Sequence, residues 1–186
     1  MRKKILMATI FLLFALQGCL YIVQLDFTPD ADFFAGPVAD KVLVYGYIDT
    51  SVMTEKMENL GIWRVYPKGP SGDVVKYKCI VSKGYFANGN LEPGSYMIQK
   101  FYGGDYSFYL GAQSELSYRI YKKGTCNFLG SYKLLHNAGQ MKKNEFGVEK
   151  LVYPDEKAVI AEVLKKARGT PWEPALKKRL KAIGGA

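Results

Sequence analysis

The most reactive side chains of this 186-residue chain are three cysteines and a single histidine. A metal site needs several such ligands at close spacing, and the sequence holds no cluster of histidine, cysteine and carboxylate with that spacing. His136 follows a predicted strand, and neither a nucleophile elbow nor a glycine-rich loop leading from a strand into a helix is present. We therefore expect no catalytic residue, no metal and no cofactor, and interpret His136 as a surface or capping residue.

The amino terminus has the pattern of a secretory signal. Residues 1–4 are short and cationic, and residues 5–16 are apolar apart from Thr9. This run is shorter than the roughly 20 apolar residues that a membrane-spanning helix needs. We therefore predict that residues 1–18 direct export and are then removed.

Leu16-Gln17-Gly18-Cys19 resembles the lipobox of bacterial lipoproteins, with leucine three places before the cysteine and a small residue directly before it. The resemblance implies diacylation of the Cys19 thiol, cleavage before Cys19 and acylation of the new amino group, so that acyl chains hold the protein to a lipid bilayer. The alternative is an ordinary cleaved signal, or an uncleaved anchor, with an incidental cysteine. Leu20 stands where inner-membrane retention in enterobacteria uses aspartate, which favours the outer membrane if the host is Gram-negative.

Charge and composition indicate one globular domain. Hydrophobic residues make up 48% and charged residues 23%, a balance typical of folded proteins. Loss of Arg2, Lys3 and Lys4 with the signal lowers the formal net charge from +9 to +6 and leaves 168 residues. Because a third of the excess positive charge belongs to targeting, we expect no nucleic-acid partner.

Short segments rich in β-branched and aromatic residues dominate the middle of the chain, separated by turn residues such as Asn88-Gly89-Asn90. They favour an antiparallel β-sandwich or barrel over βαβ units. The seven predicted strands are residues 42–48, 62–66, 74–81, 96–102, 106–110, 116–121 and 127–135.

From Pro154 the apolar spacing becomes helical. Pro154 suits the first helical position and Gly169 ends the helix. Thr170 and Glu173 have the spacing of a capping box, which predicts that a second helix opens at Thr170. Neither helix is long enough to be stable alone in water, so both should pack on the outer side of strand 42–48, which is apolar on both faces.

Residues 86–96, with Leu91, Pro93-Gly94 and Tyr96, resemble a recurrent turn of transthyretin-like, carboxypeptidase-regulatory-like β-sandwiches. Residues 123–132 and 169–172 are similar to the late strands and the tail of lipoproteins with this fold. The resemblance implies a mainly β, seven-stranded antiparallel transthyretin-like sandwich with a two-helix carboxy-terminal cover. It implies a binding or assembly role and supplies no catalytic residues.

Cys79 and Cys126 remain once Cys19 is lipidated. Outside the cytoplasm two cysteines can oxidise, and both lie at positions of predicted strands that we expect to face inward. A Cys79–Cys126 disulfide and two buried free thiols are both compatible with the sequence.

The chain is rich in aromatic residues, with 14 tyrosines and 10 phenylalanines. Tyr102, Tyr106, Tyr109, Tyr118 and Tyr121 bracket adjacent turns. They are compatible with ordinary packing or with an aromatic patch for a glycan or an envelope protein. The basic clusters 142–143, 165–166 and 177–179 are compatible with solvated faces or with contacts to anionic lipid head groups.

The sequence thus predicts a membrane-anchored cell-envelope lipoprotein that acts as a non-catalytic binding or assembly module. The alternatives are an envelope hydrolase with an unrecognised site and a purely structural surface lipoprotein. The expected segments are the signal peptide 1–18, a lipidated tether 19–41, a β-sandwich 42–153 and a helical tail 154–186.

Overall fold

The computed structural model describes residues 34, 38–53, 57, 59–65, 75–103, 106–110, 116–136 and 145–184. These residues form a mainly β fold with two helices at the carboxy-terminal end, as predicted. The strands are β1 (Val42–Asp49), β2 (Asn59–Val65), β3 (Val75–Ser82), β4 (Tyr85–Leu91), β5 (Gly94–Gly103), β6 (Tyr106–Leu110), β7 (Leu116–Ile120), β8 (Cys126–Leu135) and β9 (Glu145–Leu151). The helices are α1 (Glu156–Ala167) and α2 (Glu173–Gly184).

The nine strands form one mixed sheet in the order β2-β3-β4-β1-β8-β9-β6-β5-β7, and β2 pairs with β5 as well as with β3. β1 runs parallel to β8, and β6 runs parallel to β9. The prediction of seven strands in a purely antiparallel arrangement is therefore wrong. Both parallel pairs join strands that are far apart in the chain, and local turn signals carry no information about such pairs.

β4 and β9 are the strands that the sequence reading missed. Asn88-Gly89-Asn90 had the composition of a turn, yet it lies inside β4, where Asn88 is 5% exposed. The turn instead falls at Lys83-Gly84, whose φ angles of 52° and 84° are those of a two-residue hairpin turn. Burial of the neighbouring Phe86 and Leu91 outweighs the turn preference of the asparagines.

β1 separates two apolar clusters. Val42, Val44 and Ile48 belong to the larger cluster, which we call the inner cluster. Leu43 and Tyr45 face the other way and are fully buried under the helices. They belong to the smaller cluster, which we call the helix-side cluster. The prediction that the helical segment covers the outer side of this strand is confirmed, because residues of both helices pack in the same cluster. The helical side of that cluster consists of Val159, Ile160, Val163, Ala167, Trp172 and Leu176.

The helix starts differ in detail from the predicted ones. Asp155 caps α1, its carboxylate accepting a hydrogen bond from the Ala158 N–H at 2.8 Å, so Pro154 lies before the helix and not at its first position. The predicted capping box of α2 does not form either. The Thr170 hydroxyl donates to the Ala167 carbonyl at 2.7 Å, and α2 begins three residues later at Glu173.

No helix in the described part of the chain is long and apolar enough to cross a membrane.

Candidate functional site

A cleft of about 350 Å³ opens between α1 and the β3–β4 hairpin, and we call it the helix–hairpin cleft. Its walls come from three parts of the chain that are distant in sequence. The lining residues are Phe34, Lys83, Tyr85, Phe86, Ala87, Glu162, Val163, Lys165 and Lys166.

The hairpin wall is held against β1. The Ile48 N–H donates to the Gly84 carbonyl at 2.8 Å, which ties the turn to the end of β1. Gly84 has a positive φ of 84°, and a Cβ there would lie 2.7 Å from the Ile48 carbonyl oxygen, so only glycine fits. The ring of Tyr85 packs against Tyr47 with centroids 5.0 Å apart. Lys83, at the other position of the turn, is exposed and extends the basic rim of the cleft.

The helical wall follows from α-helical spacing. Val163 is 3% exposed and contributes to the apolar floor, whereas Glu162, Lys165 and Lys166 lie towards the rim. Glu162 pairs with Lys165 through a short contact between Oε1 and Nζ. No described carboxylate lies within ion-pair distance of Lys83 or Lys166. The rim therefore presents more positive than negative charge.

Apolar and phenolic groups complete the cleft. Phe34 is 5% exposed and packs with the helix-side cluster. Burial, followed by the carboxylate of Glu162 and the phenol of Tyr153, raises the pKa of Tyr85, while Lys165 has a smaller opposing effect. Tyr85 is therefore a neutral hydroxyl at physiological pH. The cleft combines ammonium groups and a phenol with an apolar floor, which suits a ligand with an anionic and an apolar part.

A polar cluster beside the cleft fixes the helices on the sheet. Tyr45 donates from its hydroxyl to Glu156 Oε1 at 2.7 Å, and Arg179 donates to both Glu156 oxygens at 2.8 and 3.0 Å. β1, α1 and α2 thus meet at one carboxylate. Burial first, and then the hydrogen bond to Glu156, raises the pKa of Tyr45.

Of the five tyrosines proposed as an aromatic patch, the four with described side chains do not form one surface. Tyr102 and Tyr109 lie together, with Lys100 Nζ 5.1 Å from one ring centroid and 4.9 Å from the other. Lys100 is only 8% exposed, so this group is a packed cation–π contact. The side chain of Tyr106 lies outside the described part of the structure.

Tyr118 and Tyr121 lie away from that pair. Tyr118 packs against the inner cluster and donates to the Tyr132 hydroxyl at 3.0 Å. Tyr121 is 66% exposed, and its hydroxyl lies 3.1 Å from that of Ser95. Alternation along the strands therefore distributes the tyrosines over different surfaces.

Cys79 and Cys126 are free thiols on opposite sides of the sheet. Cys79 belongs to the inner cluster, whereas Cys126 packs against the helix-side cluster, so the expected inward position of Cys126 is not observed and the two thiols do not bond. Burial raises the pKa of Cys79, and burial is also the main cause that raises the pKa of Cys126 to about 11. Neither thiol is activated.

Of the remaining candidate residues, only some lie in the described part of the chain. His136 is exposed and stacks edge-on against Phe146 with centroids 5.7 Å apart. Leu16, Gln17, Gly18 and Cys19 lie outside the described residues, as do the lysines 142–143. Within the described ranges no three histidine, cysteine, aspartate or glutamate side chains group as metal ligands do.

The sequence reading found one part of the cleft, the basic cluster 165–166, but missed the hairpin and Phe34. The available signal was Lys83-Gly84, a turn dipeptide between two apolar runs. Compared with the models of known protein families and with curated proteins, the chain matches none.

Proposed function

We propose that this chain is a lipid-anchored lipoprotein of the cell envelope that acts as a non-catalytic binding module, with the helix–hairpin cleft as its binding site. The observation that carries the proposal is the composition of the cleft. Three lysines, one of them paired with Glu162, and a neutral tyrosine hydroxyl surround an apolar floor. This arrangement suits the binding of an anionic, partly apolar group.

The anchor rests on the sequence. The cationic start, the apolar run of residues 5–16 and the lipobox-like Leu16–Cys19 segment agree with one another in position and length. In a bacterial host, these features would place the protein on a membrane facing the periplasm or the exterior, with the outer membrane favoured in a Gram-negative cell.

We further propose that the β domain is a relative of the transthyretin-like sandwiches. Two side chains of the resembling segment support this. Leu91 is fully buried in the inner cluster, and the Tyr96 hydroxyl donates to the Glu92 carbonyl across the turn. The resemblance implies a buried leucine at this turn and a tyrosine that re-enters the sheet, and Tyr96 lies in β5.

Anchoring is tested by intact mass and fractionation. The wild-type protein should lose residues 1–18, gain the mass of a diacylglyceryl group and an amide-linked acyl chain on Cys19, and sediment with membranes. The Cys19→Ala variant should carry no lipid. Detection of an unmodified Cys19 thiol in the mature wild-type protein would contradict the proposal.

Binding in the cleft is tested by photocrosslinking in the native envelope. A benzophenone amino acid replaces Tyr85 in the cleft or, as the matched control, Tyr121, which is 66% exposed and lies outside the cleft. We expect a discrete adduct from position 85 and none of the same mass from position 121. Equal labelling from both positions, or none from position 85, would refute the cleft as the binding site.

A further inference from the structure

Phe34, which precedes β1 in the chain, is part of the helix–hairpin cleft. Cys19 lies 15 residues before Phe34 in sequence. Fifteen residues span at most about 50 Å when fully extended. A lipid anchor at Cys19 would therefore keep the cleft within about 50 Å of the bilayer, close enough for contact.

Positive charge lines the cleft and is also exposed along the two helices. Lys83, Lys165 and Lys166 line the cleft, and Arg168 is exposed at the end of α1. Residues 155–184 as a whole carry eight lysines and arginines against four acidic residues, and all eight basic side chains are exposed. Three of the acidic residues, Glu156, Glu162 and Glu173, each pair with one basic residue in the segment, which leaves a basic outer surface.

We infer that the cleft end of the molecule docks on an anionic phospholipid surface, with a lipid phosphate held among Lys83, Lys165 and Lys166. This inference rests on the proposed lipid anchor. Charge complementarity, together with a proposed anchor that keeps the cleft within reach of the bilayer, favours a membrane over a soluble anion. The apolar floor formed by Phe86, Ala87 and Val163 accommodates the apolar part of the lipid next to its head group.

The expected effect is large enough to measure. Each basic side chain held close to an anionic bilayer shifts the equilibrium towards contact by about fivefold. The anchor raises the local concentration of the cleft at the surface, so that even weak contacts should be populated. Because the contacts are electrostatic and lie at the rim, high salt should weaken them.

Lysine acetylation footprinting of the full lipidated protein tests the inference. The protein is reconstituted into vesicles of phosphatidylcholine alone or of phosphatidylcholine and phosphatidylglycerol at about 7:3, and each lysine is quantified by mass spectrometry. We expect acetylation of Lys83, Lys165 and Lys166 to be about fivefold slower with phosphatidylglycerol. High salt should remove the difference.

Lys122 and Lys123 serve as internal controls, because both are exposed at the opposite end of β1. The Gly124 N–H donates to the Lys41 carbonyl at that end, about 20 Å from Gly84 along the strand. Their acetylation should be the same in both vesicle types. Equal acetylation of the cleft lysines in both vesicles, or protection of Lys122 and Lys123 instead, would overturn the inference.

A charge-matched pair of variants separates the cleft from general basicity. Lys165→Gln/Lys166→Gln should abolish the protection of Lys83, whereas Lys178→Gln/Lys181→Gln on α2 should preserve it. If both variants reduce the protection equally, the cleft has no special role and the inference fails.

The outcomes also separate this inference from the proposed function. Inorganic phosphate that protects the cleft lysines in phosphatidylcholine vesicles, with no added effect of phosphatidylglycerol, would identify a soluble anion and overturn docking on lipid. A protein adduct from the crosslinker at position 85, without lipid-dependent protection, would also overturn it. In both cases the proposed role of the cleft as a binding site would remain supported. An unlipidated Cys19 would overturn the proposed function itself.

Discussion

Removal of the Glu156 carboxylate should destabilise the attachment of both helices to the sheet. Glu156→Ala deprives the fully buried Tyr45 hydroxyl of its 2.7 Å acceptor, and a hydrogen bond to a charged group contributes about 1.5–3 kcal/mol. The ion pair with Arg179 adds less than about 1 kcal/mol, since the arginine side chain is 44% exposed. We expect the free energy of unfolding to fall by about 2–3 kcal/mol.

Urea denaturation followed by far-ultraviolet circular dichroism measures this loss. The matched control is Glu162→Ala, which removes the exposed pair with Lys165 on the same helix and should cost less than about 0.5 kcal/mol. Combined with Tyr45→Phe in a double-mutant cycle, Glu156→Ala should show a coupling of about 1 kcal/mol or more. Equal losses in Glu156→Ala and Glu162→Ala, or a coupling near zero, would refute the reasoning.

Three further predictions concern pH, thiols and backbone. Burial, and then a hydrogen bond to a neighbouring phenol, raises the pKa of Tyr118, so its contribution to stability is complete below about pH 10 and is lost as pH rises further; the phenolate absorbance that Tyr118→Phe removes, measured as wild type minus variant, should appear together with unfolding, not before it. With Cys19 lipidated as proposed, Ellman titration of the unfolded protein should find two thiols, Cys79 and Cys126, and Cys79 should stay unreactive while the protein is folded; a count of zero would contradict the structure. Gly130→Ala should lower the free energy of unfolding by about 2–4 kcal/mol, because φ is 109° and a Cβ would lie 2.8 Å from a tyrosine hydroxyl. The control Gly169→Ala, with φ of 76° and nothing within 4 Å of the Cβ, should lower it by about 1 kcal/mol. Thermal denaturation measures both losses, and equal losses would show that crowding is not the cause.

Patterns within single elements predicted much of the fold. The apolar residues on both faces of residues 42–48 indicated a strand covered on both sides, and β1 is such a strand. Helical spacing after Pro154 indicated two helices, each with an apolar stripe. The two stripes meet in one buried cluster, to which Val163 and Leu176 both belong. These signals are local, and each is repeated several times along its element.

Pairing between distant strands could not be predicted in this way. β1 lies next to β8 because their inner residues share a core, although more than 70 residues separate them in the chain. β4 was missed because the preference of Asn88-Gly89-Asn90 for turns is weaker than the burial of the residues around it. Tertiary burial of this kind has no signal in a short window of sequence.

The candidate site was harder to predict than the fold, for a related reason. The basic pair Lys165-Lys166 was visible in the sequence, but Lys83 and Tyr85 reach it only through the pairing of β4 with β1 and the packing of α1 over both. Tyr102, Tyr118 and Tyr121 are close in sequence, but the fold places their side chains on different surfaces. Closeness in sequence was therefore a poor guide to the residues that share a surface.

β1 holds both walls of the helix–hairpin cleft. Its Ile48 N–H ties the Lys83-Gly84 turn in place, and its Tyr45 hydroxyl holds α1 through Glu156. Since both walls are attached to one central strand, the cleft forms as the chain folds and does not depend on a ligand to assemble it. A preformed site loses little conformational entropy when it is filled. The favourable contacts of its rim lysines with an anion are then offset mainly by the desolvation and ordering of those side chains. Loss of a lysine charge should therefore weaken binding directly, without a change in the fold.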